Sequence, residues 1–222
     1  EGPADRRKWL DILLSSSSKE YFEVLQSYHR SLRERNALLK QGGGDSELNA
    51  FEHSLAESTL NLQSLREEAI PTLGVSLGRN YSSLTGGTEE AGLSYQPDLP
   101  QLSLNQLLAR YSSDRERDRL FGSTRRGPHR DDFQFFLNQR DARIYASEGQ
   151  QRGLVLALRL AEFYYLHESL NKLPLVLADD VLGELDQNRK ANFRYLLPSQ
   201  AQVFATGTVS YTHLTLPTIL LV

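Results

Sequence analysis

The stretch "PLVLADDVLGELD", residues 174–186, decides the fold. An apolar run ends in two adjacent carboxylates, Asp179 and Asp180, and a Gly-Glu-Leu-Asp follows. A continuous apolar run of this kind predicts a strand buried on both faces of a parallel sheet. Such a strand delivers its last residues to the carboxyl edge of the sheet, where open α/β proteins hold their ligands. Two carboxylates at that edge repel each other and cannot both be buried unpaired. A magnesium ion is one resolution, since it prefers carboxylate and phosphate oxygens. In nucleotide hydrolysis the first acid holds the ion and the second orients or deprotonates the attacking water. The plainer alternative is a helix N-cap pair, with Asp180 capping whatever follows.

A second constellation lies just upstream. "ASEGQQRGLVLALRLAE", residues 146–162, places Ser-Glu-Gly-Gln-Gln-Arg at the head of a helix predicted over 149–170. Ser147 suits an N-cap, and Gly149 lets a ligand approach the backbone. The first-turn amides and the helix dipole make such an end an anion site. The helix is apolar on several faces, carrying Val155, Leu156 and Leu160 besides Leu154, Leu158 and Tyr165, and is therefore expected to be buried. An ordinary capped helix explains this segment taken alone. The set order of capped glycine turn, buried helix, buried strand, acid pair and Glu-Leu-Asp is harder to obtain by accident. A helix over "QNRKANFRYLL" and a strand over "AQVFATG" complete strand–helix–strand logic with a parallel sheet.

Further out, Tyr21, Leu25, Tyr28 and Leu32 recur at helical spacing in a helix predicted over 12–40. "QGGGDS" at 41–46 is a turn, with Asp45 or Ser46 as the next N-cap. A second helix spans 47–70, with Leu48, Phe51, Leu55, Leu62 and Leu65 on one face, and the two make an antiparallel pair. Residues 71–100 read as irregular, with short strands in "LGVSLGRNYSSL" and "AGLSYQP", and a short helix follows over 103–119. "FQFFLN", "QRD" and "ARIYAS" read as a β-hairpin.

The 25 basic and 28 acidic residues nearly balance, so any nucleic-acid contact must come from local patches. The densest is Arg125, Arg126, His129 and Arg130, which can track phosphates in a salt-dependent way. Arg30, Arg33 and Arg35 read instead as a solvated or internally paired helix face. The absence of cysteine excludes disulfides and thiolate chemistry and suits a cytoplasmic protein. No apolar run approaches the roughly 20 residues of a membrane span. The absence of methionine suggests an internal piece of a longer protein.

Taken together, these motifs resemble the ABC-type ATPases and, within them, the RecF family of DNA replication and repair proteins. "SEGQQR" resembles the family's signature motif, and "PLVLADDVLGELD" its Walker B strand and D-loop. "GPHRDD" at 127–132, "RRKWLD" at 6–11 and "YHRSLRERNALLK" at 28–40 are also characteristic. The resemblance implies a mixed α/β (α+β) fold: the C-terminal part of an ABC-type ATPase head with a parallel sheet, plus a helical lobe. The implied organisation is the end of ATPase lobe I over 1–11, helical lobe II over 12–125, and the rest of lobe I over 126–208. Residues 209–222, "VSYTHLTLPTILLV", resemble a tail left by sequencing-adapter read-through, and no function is expected of them.

Carried over residue by residue, the resemblance makes Asp179 the magnesium ligand and Asp180 the catalytic carboxylate. Ser147, Gly149 and Gln150 would meet the γ-phosphate of ATP bound to the opposite subunit, and Asp186 would lie at that interface. The implied cofactors are ATP and Mg²⁺. The implied partners are a second copy in an ATP-dependent homodimer, single- and double-stranded DNA at gap junctions, and RecR and RecO. The implied role is placing RecA on gapped strands in gap repair and the SOS response. Glu148 departs from the usual Gln and adds a negative charge near the phosphate site. No G-x-x-x-x-G-K-[ST] occurs in the 222 residues, so the family's phosphate-cradling loop is expected upstream of residue 1. The rival readings are another SMC-like repair ATPase and a non-catalytic protein-interaction adaptor.

Overall fold

The computed structural model describes residues 2–87, 89–179, 192–193 and 195–206. Three helices open the chain: α1 (Pro3–Ser17), α2 (Lys19–Gln41) and α3 (Asp45–Thr85). Ser18, in extended conformation, separates the first two, and its hydroxyl accepts the Tyr21 N–H at 3.1 Å to cap α2. The helix expected over 12–40 is therefore two helices, broken within the serine run. Gly42 ends α2 in the left-handed region at φ 73°, a conformation costly for any residue with a Cβ. The next N-cap is Gly44, one residue before the expected candidates, and the Glu47 carboxylate accepts the Gly44 N–H at 3.1 Å.

The helix α3 runs 15 residues beyond its expected end and passes straight through Pro71. "LGVSLGRNYSSL" is therefore helix and not strand. A proline inside a helix forfeits one backbone hydrogen bond and costs about 3 kcal/mol. Packing outweighs that cost, because Leu73, Leu77, Tyr81 and Leu84 continue the buried face. Gly74 and Gly78 sit beneath strand β1 (Ala91–Gln96), and a Cβ on Gly78 would meet the Ala91 carbonyl oxygen at 3.0 Å. The glycines that look like loop signals thus let a strand lie close on a helix.

Helix α4 (Leu104–Phe121) follows, capped by Ser103. Strand β2 (Asp132–Leu137) pairs antiparallel with β1 and with the two-residue β3 (Arg140–Asp141). Asn138 and Gln139, both at positive φ, form the tight two-residue turn of the expected hairpin. "ARIYAS" does not continue the strand: Asp141 Oδ1 accepts the Arg143 N–H at 2.9 Å and caps a one-turn helix, α5 (Ala142–Tyr145). Helix α6 (Glu148–Leu170) then leads to β4 (Val176–Asp179), which pairs in parallel with β5 (Val203–Thr206). The parallel sheet is present, and among the described residues it is covered only in part. Ala178 is buried, whereas Leu177 is 75 % exposed and Phe204 55 %. Val155 on α6 is likewise exposed, so the described residues cover the helix only in part.

Among the described residues two apolar cores form, and α3 runs through both. One joins α1, α2, α4 and the first part of α3 around Leu10, Tyr21, Leu55, Leu62 and Phe133. The other joins the last part of α3 to α6 around Leu77, Tyr81, Leu154, Ala157 and Leu160.

Buried arginines tie the elements together. Arg35 of α2 is fully buried and donates to Glu52 of α3 at 3.1 Å, to Asp118 of α4 at 2.7 Å and to the Thr124 hydroxyl at 2.7 Å. Arg66 of α3 binds Asp11 of α1 at 2.8 Å, Asp131 at 2.7 Å and the Pro128 carbonyl at 3.0 Å. The Asp131 carboxylate also accepts from the Tyr95 hydroxyl and from the Asp98 N–H at 2.9 Å. Each buried charge is therefore both paired and hydrogen-bonded. The turn "GPHRDD" belongs to this lock. His129 Nδ1 accepts from the Tyr28 hydroxyl at 2.6 Å, and its Nε2 donates to the Thr124 carbonyl at 3.0 Å. Burial pushes the imidazole down to about 4.

Removing one partner of a buried ion network leaves an uncompensated charge and costs about 3–5 kcal/mol. Arg35→Met is expected to lower stability by that order in urea unfolding. Arg30→Met, at an exposed pair with Glu34, should cost less than about 1 kcal/mol.

His129 sets a pH dependence. Its folded value lies below the ordinary 6.5, so as pH falls the unfolded chain takes up the proton first. Its stabilising contribution is complete above about pH 6.5 and declines toward pH 4, by up to about 2 kcal/mol at pH 5. Unfolding curves at pH 7 and pH 5 should differ less for His129→Gln than for the parent by about that amount.

Candidate functional site

The N-terminus of α6 is built by a reciprocal cap. The Ser147 hydroxyl accepts the Gln150 N–H at 3.3 Å, and the Gln150 side-chain oxygen accepts the Ser147 N–H at 2.7 Å. The Gln150 amide nitrogen donates to Glu89, just ahead of β1. This glutamine is therefore held at both ends of its amide. Ser147, Glu148 and Gly149 face solvent. The Glu148 charge does not stand alone: Arg152, one turn on, pairs with it at 2.7 Å. The capped end thus presents a hydroxyl whose proton remains to donate, on the positive pole of a 23-residue helix.

Beside this end lies a polar cavity of about 380 Å³, bordered by Asn138, Arg140, Tyr145 and Gln150. The Arg140 guanidinium sits over the Tyr145 ring at 5.7 Å. Reading the sequence did not single out these two residues. The two-residue Asn138-Gln139 turn was the available signal, because it swings Arg140 back toward the start of α5.

At the sheet edge, Asp179 occupies the last position of β4, in register with Thr206 of β5. Asp180 and Asp186 lie outside the described residues, as does the tail from 209 onward. Among the described residues no three His, Cys, Asp or Glu side chains converge on a cation site. Magnesium in phosphate sites needs only one or two carboxylates beside phosphate oxygens and waters. The strand-end position of Asp179 fits that limited demand, whereas an all-protein cage does not.

The basic clusters spend much of their charge internally. Arg126 pairs with Asp98 at 3.0 Å and also donates to the Asp98 carbonyl. Arg125 lies over the Phe121 ring at 4.5 Å. Arg130 is exposed. His129, held low by burial, contributes no cation at neutral pH. Arg6 makes a bidentate pair with Asp132 at 2.9 and 2.8 Å. In the helix-face group Arg30 pairs with Glu34 and Arg35 is buried, which agrees with the internally paired reading. No helix among the described residues is long and apolar enough to cross a membrane.

No protein-family profile matches the chain. Curated relatives do. The chain is 39 % identical over 214 residues to the DNA replication and repair protein RecF of Geobacter metallireducens, covering 93 % of this chain and 58 % of that protein. The RecF of Trichlorobacter lovleyi is 35 % identical over 212 residues, covering 93 % of this chain and 57 % of that protein. Among solved structures, the recombination mediator protein RecF-ATP of the RecFOR pathway superposes with a TM-score of 0.84 at 32 % identity. That match covers 96 % of this chain and 60 % of the other. A second RecF structure, with an ATP analogue, gives a TM-score of 0.81 at 31 % identity. The chain spans a little under three-fifths of the length of these first curated relatives. Its fold is that of an ABC-type ATPase, and over the residues it spans the chain belongs to the RecF family of DNA replication and repair proteins.

Proposed function

We propose that this chain forms the helical lobe and the signature and Walker B part of a Mg-ATP-dependent, DNA-binding recombination mediator. In this reading residues 12–125 are the helical lobe, with residues 1–11 and 126–208 belonging to the ATPase lobe. The observation that carries the reading is the solvent-facing, doubly tied cap of α6, whose Ser147 hydroxyl keeps a proton to donate. Its likeness to an ATP-bound RecF structure adds support.

The residues divide the work as follows. Ser147 donates to a γ-phosphate oxygen carried by the opposite subunit, and Gly149 admits that phosphate to the backbone. Gln150, already tied to Ser147 and Glu89, fixes the geometry of the turn. Asp179 holds magnesium, which when bound offsets the charge of the phosphate oxygens. Asp180 orients and deprotonates the attacking water, and Asp186 lines the subunit interface. Closure around two nucleotides makes ATP the link within a homodimer. Arg125, Arg126 and Arg130 meet the phosphates of gapped DNA, and RecR and RecO are the protein partners in RecA loading and the SOS response. The assembly works in the cytoplasm. Helices α2 and α3 form a short hairpin folded onto the rest of the molecule, unlike the extended coiled coil of an SMC-like ATPase.

In the longer protein this reading requires, Ser147→Arg is expected to abolish ATP-driven dimerisation in sedimentation while monomeric ATP binding persists. Asp180→Ala should stop hydrolysis and leave dimerisation intact. If neither change alters any nucleotide property, the adaptor reading takes over.

The 222-residue chain lacks the phosphate-cradling loop motif, so on its own it should turn over no ATP. A coupled phosphate-release assay checks this, and sustained release above the buffer rate contradicts it.

A further inference from the structure

A groove of about 590 Å³ lies between α1 and α2, away from the α6 cap and the β4 edge. The Ser18 break lets the two helices meet at one end and frame a cleft along their flanks. Arg7, Lys8 and Ile12 come from α1, while Phe22, Leu25 and His29 come from α2. The groove is chemically polarised. Ile12 is 57 % exposed and Phe22 44 %, and with Leu25 they form an apolar end. Arg7 and Lys8 form a cationic end. Arg7 gives one N–H to the Asp131 carbonyl at 2.7 Å, and among the described residues neither Arg7 nor Lys8 is ion-paired. The polar groups of the floor are already engaged: Arg66 with Asp11 and Asp131, and His129 with Tyr28 and Thr124. Two large apolar side chains, Ile12 and Phe22, thus lie beside the exposed Lys8 and the half-buried Arg7, which keeps N–H groups beyond the one given to Asp131.

We infer that this groove is a docking site for a peptide segment of a partner protein carrying a large apolar side chain with carboxylates two to three residues away. The spacing follows from the groove. Ile12 lies one helical turn from Lys8, about 6 Å along α1. An extended peptide advances about 3.3 Å per residue, so an anchor seated against Ile12 and Phe22 brings the acid two positions on to Lys8. The next acid reaches Arg7. Binding by one apolar anchor and a charged flank is a recurring mode of peptide capture. A nucleic-acid strand suits the groove less well. The cations occupy one end only, and the other end offers Ile12, Leu25 and a single aromatic ring, Phe22, without a phosphate partner.

The test uses the 222-residue chain and a fluorescein-labelled peptide, Ser-Gly-Phe-Ser-Asp-Asp-Gly-Ser-Gly, read by fluorescence anisotropy. Saturable binding is expected, weakening at least tenfold when the peptide Phe becomes Ser or its two Asp become Lys. The same loss is expected for Lys8→Glu and Ile12→Asp, both exposed positions, with thermal melts unchanged. The two altered peptides keep the test valid even if a protein variant misfolds. Four outcomes overturn the inference. They are no saturation into the millimolar range, binding indifferent to these changes, displacement of the peptide by oligo(dT), which assigns the groove to DNA, and self-association abolished by the same two variants, which assigns it to a second copy.

Discussion

The Arg66–Asp131 pair is the constraint on which the rest of the structure depends. Both residues are buried, and neither charge could stay there alone, because an unpaired ion in the interior costs several kcal/mol. Each therefore recruits every hydrogen-bonding group within reach. Arg66 on α3 draws in Asp11 of α1, Tyr21 of α2 and the Pro128 carbonyl. Asp131 draws in Tyr95 of β1 and the Asp98 amide. Side chains or backbone from three helices and from strand β1 therefore converge on this one pair. The neighbouring Arg6–Asp132 pair extends the tie to the start of β2. The turn that resembles a family motif thus acts, in this structure, as the joint between the opening helices α1–α3 and the antiparallel sheet.

That joint matters to the candidate nucleotide site through a short chain of contacts. β1 lies on α3 because Gly74 and Gly78 leave room for its backbone. The residue pair ahead of β1 includes Glu89, which binds both Tyr81 of α3 and Gln150 of the α6 cap. The geometry of the Ser147 turn is therefore set partly by α3, more than 60 residues away in sequence. Helix α6 is in turn packed against the far half of α3 through Leu77, Tyr81, Leu154 and Leu160. The long helix holds both apolar cores in one frame, and its passage through Pro71 is what makes that possible.

Much of this was legible in the residues. The capped α6, the parallel β4–β5 pair and the α2 and α4 helices announce themselves through apolar period and cap residues. Three features were not legible, each for a physical reason. Pro71 and the two glycines after it read locally as breakers, whereas tertiary packing of the later leucines overrides them. "ARIYAS" has strand-like residues, but a single Asp141 side-chain cap diverts it into a helical turn. The internal ties of the segment around "GPHRDD" are the third feature. Arg126 pairs with Asp98 and His129 with Tyr28, both far away in the chain, and pairing at that range leaves no periodic trace. Asp179 stands where the apolar run predicts, at the end of a parallel strand.

The central claim, that one buried ion pair couples the opening helices to the antiparallel sheet, is tested most directly by a double-mutant cycle. Stability is measured by urea unfolding for the parent, Arg66→Met, Asp131→Leu and the double variant. The account predicts that each single change is severe, while the double change costs less than their sum by at least about 2 kcal/mol, since it leaves no orphaned charge between the two positions. Additive losses within about 0.5 kcal/mol would contradict it, because they would mean that the two residues stabilise the fold independently.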